Sequence, residues 1–186
     1  MSARPEGAMR LLAISGSLRE RSSNTAALAA AARLAPDHVE VVLYDGLATL
    51  PHFNPDLDRE GMEPPAPVAA LRSLIETADG VLFSTPEYAH GLPGSLKNAL
   101  DWLVSAPAFY AKPVALIDTS AAYSVHAVAS LIEVLSTMGT RLVREGCVDL
   151  PLRGRSLDAD GILADPSLSS ALRAGLAAFA EAIRSS

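Results

Sequence analysis

The sequence predicts an α/β fold, a three-layer sandwich whose central five-stranded parallel sheet runs in the order 2-1-3-4-5. Three observations carry that prediction. Short apolar segments alternate with helix-forming segments five times along the 186 residues. The apolar segments lack period-two alternation, which is the pattern of strands buried on both faces. Two loops of unusual composition follow the first and third strands, which this order sets side by side at the point where the chain reverses its winding and ligands bind.

Residues 10–14 form the first strand, and residues 15–24 follow as Ser-Gly-Ser-Leu-Arg-Glu-Arg-Ser-Ser-Asn. That loop places hydroxyls and guanidinium groups where the alanine-rich helix of residues 25–35 begins. The free N–H groups and positive dipole end of a helix start favour a phosphate, and Arg adds charge-assisted hydrogen bonds. A plainer role fits the same residues: Ser22, Ser23 or Asn24 caps the helix while Arg19 and Arg21 stay solvated. Residues 39–44 are β-branched and apolar and make the second strand. Residues 45–67 carry Pro51, Pro55, Pro64, Pro65 and Pro67, so no continuous element is expected, and a loop of that length marks function, interface or mobility.

Val68, Leu71, Ile75 and Ala78 then recur at helical spacing, and residues 80–84 supply the third strand. The second unusual loop, residues 85–93, reads Thr-Pro-Glu-Tyr-Ala-His-Gly-Leu-Pro and feeds a helix striped by Leu96, Ala99, Leu100 and Leu103. On that helix Lys97 and Asp101 can pair across one turn, and Trp102 packs either within the subunit or against another. Residues 114–118 form the fourth strand. Val128, Ile132, Leu135 and Met138 mark the next helix, which Gly139 closes. A fifth strand is expected from about 141 to 148, or as far as 150, with Cys147 as an inert buried thiol inside it. A loop holding Pro151, Arg153 and Arg155 leads to a last helix that opens at Asp165-Pro166.

Composition narrows the function. With 49% apolar residues the chain can fill one core, and residues 9–186 are expected as a single domain behind a flexible segment, residues 1–8. A net charge of −6 argues against nucleic acid as a partner. One cysteine, no signal-peptide pattern and no apolar span of membrane length point to the cytoplasm and to no membrane association. The dinucleotide glycine fingerprint, the nucleoside-triphosphate loop and the serine nucleophile elbow are all missing. His38, His52, His90 and His126 stand at no ligand spacing, so no metal is expected. What remains is a phosphate monoester at the first loop and a flat group beside the second. FMN has that shape.

Gly16-Ser17-Leu18-Arg19 with Ser22 and Asn24, then Pro86-Glu87-Tyr88, then the run from Leu92-Pro93-Gly94 to Asp101-Trp102, resembles the NADPH-dependent FMN reductase family of flavodoxin-like proteins. The family includes quinone, chromate and azo-dye reductases, and the resemblance covers most of the chain. It implies that Ser17, Arg19, Ser22 and Asn24, with Ser23 beside them, hold the FMN phosphate. It further implies that Pro86, Glu87 and Tyr88 line the isoalloxazine. Backbone groups of Ala89, His90 and Gly91 would reach its pyrimidine edge, and Thr119 and Ser120 would complete the site after the fourth strand. Glu87 either lines the ring or holds its loop through its carboxylate, and His90 either assists proton delivery or is an ordinary loop residue.

Two departures from the family pattern stand out. Ala89 and His90 follow Tyr88 where the family has Asn, and residues 119–124, with Tyr123 among them, replace a glycine-rich loop. The implied activity is ping-pong hydride transfer from NADPH or NADH, through bound FMN, to free flavin, a quinone or a similar small acceptor. No catalytic side chain is assigned, because the flavin carries the chemistry. The competing reading is a flavodoxin-like electron carrier served by a protein partner, against which the two arginines of the first loop argue. The resemblance also implies a homodimer or homotetramer, and residues 45–67 and the Trp102 helix end offer non-polar surface for it, with Phe53, Leu57 and Met62 among the expected contacts.

Overall fold

A computed structural model describes residues 8–120, 124–152 and 154–185, so the expected flexible segment, apart from Ala8, lies outside the described residues. The strands β1 (Met9–Ser15), β2 (Val39–Tyr44), β3 (Gly80–Ser84) and β4 (Pro113–Asp118) run parallel. Their order is β2-β1-β3-β4, and the short strands β5 (Arg141–Leu142) and β6 (Val148–Asp149) both pair with β4 at the far edge. The winding reversal therefore falls between β1 and β3, as the sequence predicts.

Neighbouring residues of each strand serve opposite layers. Leu11, Ala13, Leu82, Ala115 and Ile117 face one core, with α1 (Ser23–Leu34), α5 (Ala159–Ala164) and α6 (Pro166–Arg184) packed over it. Leu12, Ile14, Val81, Phe83, Val114 and Leu116 face the other, beneath α2 (Ala66–Thr77), α3 (Gly94–Leu103) and α4 (Val125–Thr137). Both parities are apolar because both faces are covered. In α1 the side chains of Ala27, Ala30 and Ala31 are fully buried, so small residues bring that helix close to the sheet.

Three details differ from the sequence reading. The expected fifth strand is broken by a 3₁₀ turn at Arg144–Gly146, and Cys147, just past the break, is exposed with its thiol 3.5 Å from Val143 O. The break follows from packing: a Cβ on Gly146 would lie 2.7 Å from Phe179 Cβ, so only glycine lets the turn press against α6. Second, α5 precedes the last helix, started by Asp158, whose Oδ1 accepts from Gly161 N. Third, residues 45–67 contain two 3₁₀ turns, Gly46–Thr49 and Pro55–Leu57, and are tied to α2 and α3. Pro51 O accepts from Asn98 Nδ2 at 2.9 Å and Trp102 Nε1 at 2.8 Å, and the rings of Phe53 and Trp102 meet edge to face at 5.0 Å. Arg72 reaches both oxygens of Asp58 at 2.9 Å. Trp102 is thus buried within the subunit, at 0% exposure, where an aromatic side chain contributes most through the apolar area it removes from water. Lys97 and Asp101 pair at 2.6 Å, as expected from their spacing.

The connection from β3 to α3 contains a tight hairpin. Tyr88 and Gly91 exchange both backbone hydrogen bonds, at 3.1 and 3.0 Å, around Ala89 and His90, whose φ angles are +49° and +58°. Two successive positive φ values are what a type I′ turn requires, and Asn is among the residues that adopt that region readily, whereas Ala is not. Ala89 therefore carries backbone strain in the turn. Ala89→Asn is expected to raise stability by about 1 kcal/mol, read as a higher denaturant midpoint at unchanged slope. An unchanged or lower midpoint would show that the left-handed conformation at Ala89 is not strained.

Candidate functional site

The carboxyl ends of β1, β3 and β4 are joined by polar side chains. Asn24, in the first turn of α1 and only 6% exposed, receives Ser84 Oγ at 2.9 Å and Thr119 Oγ1 at 3.1 Å on its Oδ1. Ser84 Oγ also lies 2.6 Å from Ile117 O, so its one proton is shared between two acceptors. The β1 loop is held in the same way. Ser15 Oγ shares a 2.8 Å hydrogen bond with Thr25 Oγ1 and accepts from Ser17 N, and Ser17 Oγ accepts from Arg19 N. A Cβ on Gly16 would fall 2.4 Å from Thr85 Oγ1, so glycine permits the close approach of this loop to the end of β3. Ser22 caps α1, its Oγ accepting from Thr25 N at 3.3 Å.

Above these strand ends lies a cleft of about 340 Å³. One side is the β1 loop, with Ser17, Arg19, Arg21, Ser22, Ser23 and Asn24; Pro86 and Tyr88 come from the β3 loop, and Thr119 and Ser120 from the end of β4. The far side was not anticipated: Leu152, Gly154, Arg155 and Ser156 close it. They arrive because Leu150 N and Leu152 N donate to Asp118 O and Thr119 O at 2.7 and 3.1 Å, which extends the pairing of β6 with β4. Arg155 is held by Asp165, at 2.7 Å, whose carboxyl is kept below the usual range first by that guanidinium and then by N–H groups of the first turn of α6. No motif marks Arg155 in the sequence, since it reaches the cleft only through that edge pairing.

The lining described holds three arginines and no carboxylate, in a chain of net charge −6. Among the described residues, neither Arg19 nor Arg21 has an ion-pair partner. Hydroxyls and unpaired guanidinium groups above a helix start form a donor set suited to a phosphate, while Pro86 and half-exposed Tyr88 offer a flat, less polar surface at the other end. The site residues present fit FMN on that ground.

Four expected residues of the β3 loop, Glu87, Ala89, His90 and Gly91, are not part of this lining. Glu87 turns to α4 instead, where Oε2 accepts from His126 N and Ala127 N, both at 2.9 Å. Its carboxylate holds the loop. His90 and His126, which show no ligand spacing in the sequence, stack with ring centroids 4.3 Å apart. Residues 121–123, including Tyr123, and Arg153 lie outside the described residues.

Comparison with known proteins agrees with this geometry. The family described as NADPH-dependent FMN reductase matches residues 9–152. An NAD(P)H-dependent FMN reductase of Pseudomonas aeruginosa is 43% identical over 115 residues, 61% of this chain and 60% of that protein. An NADPH:quinone oxidoreductase of Arabidopsis thaliana is 41% identical over 118 residues, 62% of this chain and 60% of that protein. The chain thus spans about three fifths of the curated relatives it matches. Among solved structures, FerB, a flavoenzyme NAD(P)H:(acceptor) oxidoreductase of Paracoccus denitrificans, aligns with a TM-score of 0.77 at 29% identity, over 95% of this chain and 98% of that one. With strand order, cleft position and sequence match in agreement, the chain belongs to the NADPH-dependent FMN reductase family of flavodoxin-like fold.

Proposed function

We propose that this protein is an FMN-dependent NAD(P)H oxidoreductase that reduces free flavin, a quinone or a similar small acceptor. The observation that carries the proposal is the cleft at the strand ends, cationic at the β1 loop and flat at the β3 loop, in a chain of this family. Arg19 and Arg21, with the hydroxyls of Ser17, Ser22 and Ser23, bind the phosphate. Asn24 fixes the floor beneath it, and Thr119 and Ser120 border the middle of the cofactor. Pro86 and Tyr88 flank the ring, and the hairpin of Ala89, His90 and Gly91 stands at its outer edge. The chemistry is the flavin's: hydride acceptance from NADPH or NADH and hydride donation to the acceptor, in two ping-pong half-reactions.

The protein's contribution is binding and orientation, because the described lining holds no carboxylate, histidine or thiol to move a proton. A lining free of anions also favours the negative charge that a reduced ring or an incoming phosphate brings. Among the described residues no helix is long and apolar enough to cross a membrane. A single cysteine and a nicotinamide reductant fit a cytoplasmic protein.

The same reading includes assembly as a homodimer or homotetramer. Leu57 and Met62 are exposed on residues 45–67, which are fastened to the subunit through Pro51 and Asp58 and so present a fixed apolar surface. Light scattering of the FMN-bound protein at micromolar concentration is expected to give twice or four times the chain mass. A monomer under those conditions would defeat this part of the reading.

Arg19 provides the test of the phosphate site. Loss of one charge-assisted contact costs about 1.5–3 kcal/mol, so Arg19→Ala should weaken FMN binding roughly 10- to 150-fold. Riboflavin shares the ring but lacks the phosphate, and its affinity should stay the same in the variant. Titration of both ligands by flavin fluorescence separates the cases: equal losses for the two would show that Arg19 does not read the phosphate.

A further inference from the structure

Glu87, His90 and His126 remain outside the work assigned to the cleft. Each offers one donor atom, and the three atoms lie within 4.8 Å of one another. We infer that these residues form a binding site for a divalent transition-metal ion, of which zinc is the probe. The inference stands on side-chain geometry alone and does not rest on the reductase reading.

The donor set selects the ion. Two imidazoles and a carboxylate suit zinc, copper or nickel rather than magnesium or calcium, which prefer oxygen ligands throughout. Three protein ligands with a water in the fourth position make an ordinary open zinc site. At Zn–N lengths of about 2.0–2.1 Å, tetrahedral ligands sit about 3.3 Å apart, so the donor atoms, now within 4.8 Å of one another, must draw together and the stacked rings must turn until both in-plane lone pairs aim at one ion. Both histidines are exposed, and among the described residues neither ring has a hydrogen bond to give up.

The carboxylate is already oriented. Oε2 of Glu87 is fixed by two N–H groups at the start of α4, which leaves Oε1 for a ligand. This also answers the electrostatic objection to a cation at a helix N-terminus, since the Glu87 charge sits between the helix and the ion. The two rings lie 4.3 Å apart and inclined by 25°, one from the hairpin after β3 and one from α4. A metal ion there staples the hairpin that follows Pro86 and Tyr88 to α4, along the edge of the cleft.

The test uses the full chain with FMN added, stripped of metals with a chelator, and zinc titrated against a chromophoric indicator near neutral pH. The expected result is one zinc per chain and a rise in melting temperature on binding. His90→Asn, which keeps a residue tolerant of positive φ, and His126→Ala, on an exposed helix position, should each weaken zinc binding by at least about tenfold and abolish the thermal shift. His38→Ala and His52→Ala should bind as the parent does. Absence of stoichiometric binding in the parent, or an unchanged affinity in either His90→Asn or His126→Ala, overturns the assignment.

Discussion

The buried amide of Asn24 is the contact on which the rest of the site depends. It brings the first turn of α1, the end of β3 and the end of β4 to one point, through Ser84 and Thr119. Removing the Asn24 amide would leave the buried Thr119 hydroxyl without this acceptor, at about 1–3 kcal/mol for an unsatisfied buried group, so the three elements hold one arrangement. Everything above inherits that register. The β1 loop is set by its own hydroxyls and by the close approach at Gly16, and the segment that brings Arg155 across the cleft is set by its pairing with Asp118 and Thr119.

The electrostatics of the cleft run against those of the chain. Acidic residues outnumber basic ones by 21 to 15, yet among the described residues three arginines and no carboxylate line the ligand space. A local field of that kind survives an unfavourable net charge because screening in salt confines interactions to roughly 8–10 Å. The carboxylates nearest in function are engaged elsewhere: Asp118 binds Ser120 N and Ser124 Oγ, Asp165 binds Arg155, and Glu87 binds α4. Acidic groups shape the loops, and basic groups are left to face the ligand.

The doubly covered parallel sheet was legible because strands buried on both faces must be apolar at both parities, and residues 11–14, 81–83 and 114–117 satisfy that. The β1 loop was legible because its hydroxyls, arginines and the following helix are contiguous in sequence. What escaped was set by tertiary contact. The break between β5 and β6 depends on Phe179 pressing against Gly146, and no local pattern announces it. Arg155 reaches the cleft through edge pairing, and His90 meets His126 only once the β3 loop and α4 are folded together. The hairpin lies between these cases. Its turn falls where the family pattern departs at Ala89, but the strain of that departure is visible only in the positive φ angles.

The central claim is that this cleft holds a flavin in working order, and a visible absorption spectrum tests it most directly. The purified protein, reconstituted with FMN and freed of oxygen, is predicted to lose the visible flavin band on addition of NADPH or NADH and to regain it when a quinone follows, with no other protein present. A flavin band that stays oxidised for minutes under excess of both nicotinamides, or a protein that remains colourless after FMN is added and the excess removed, would contradict the account.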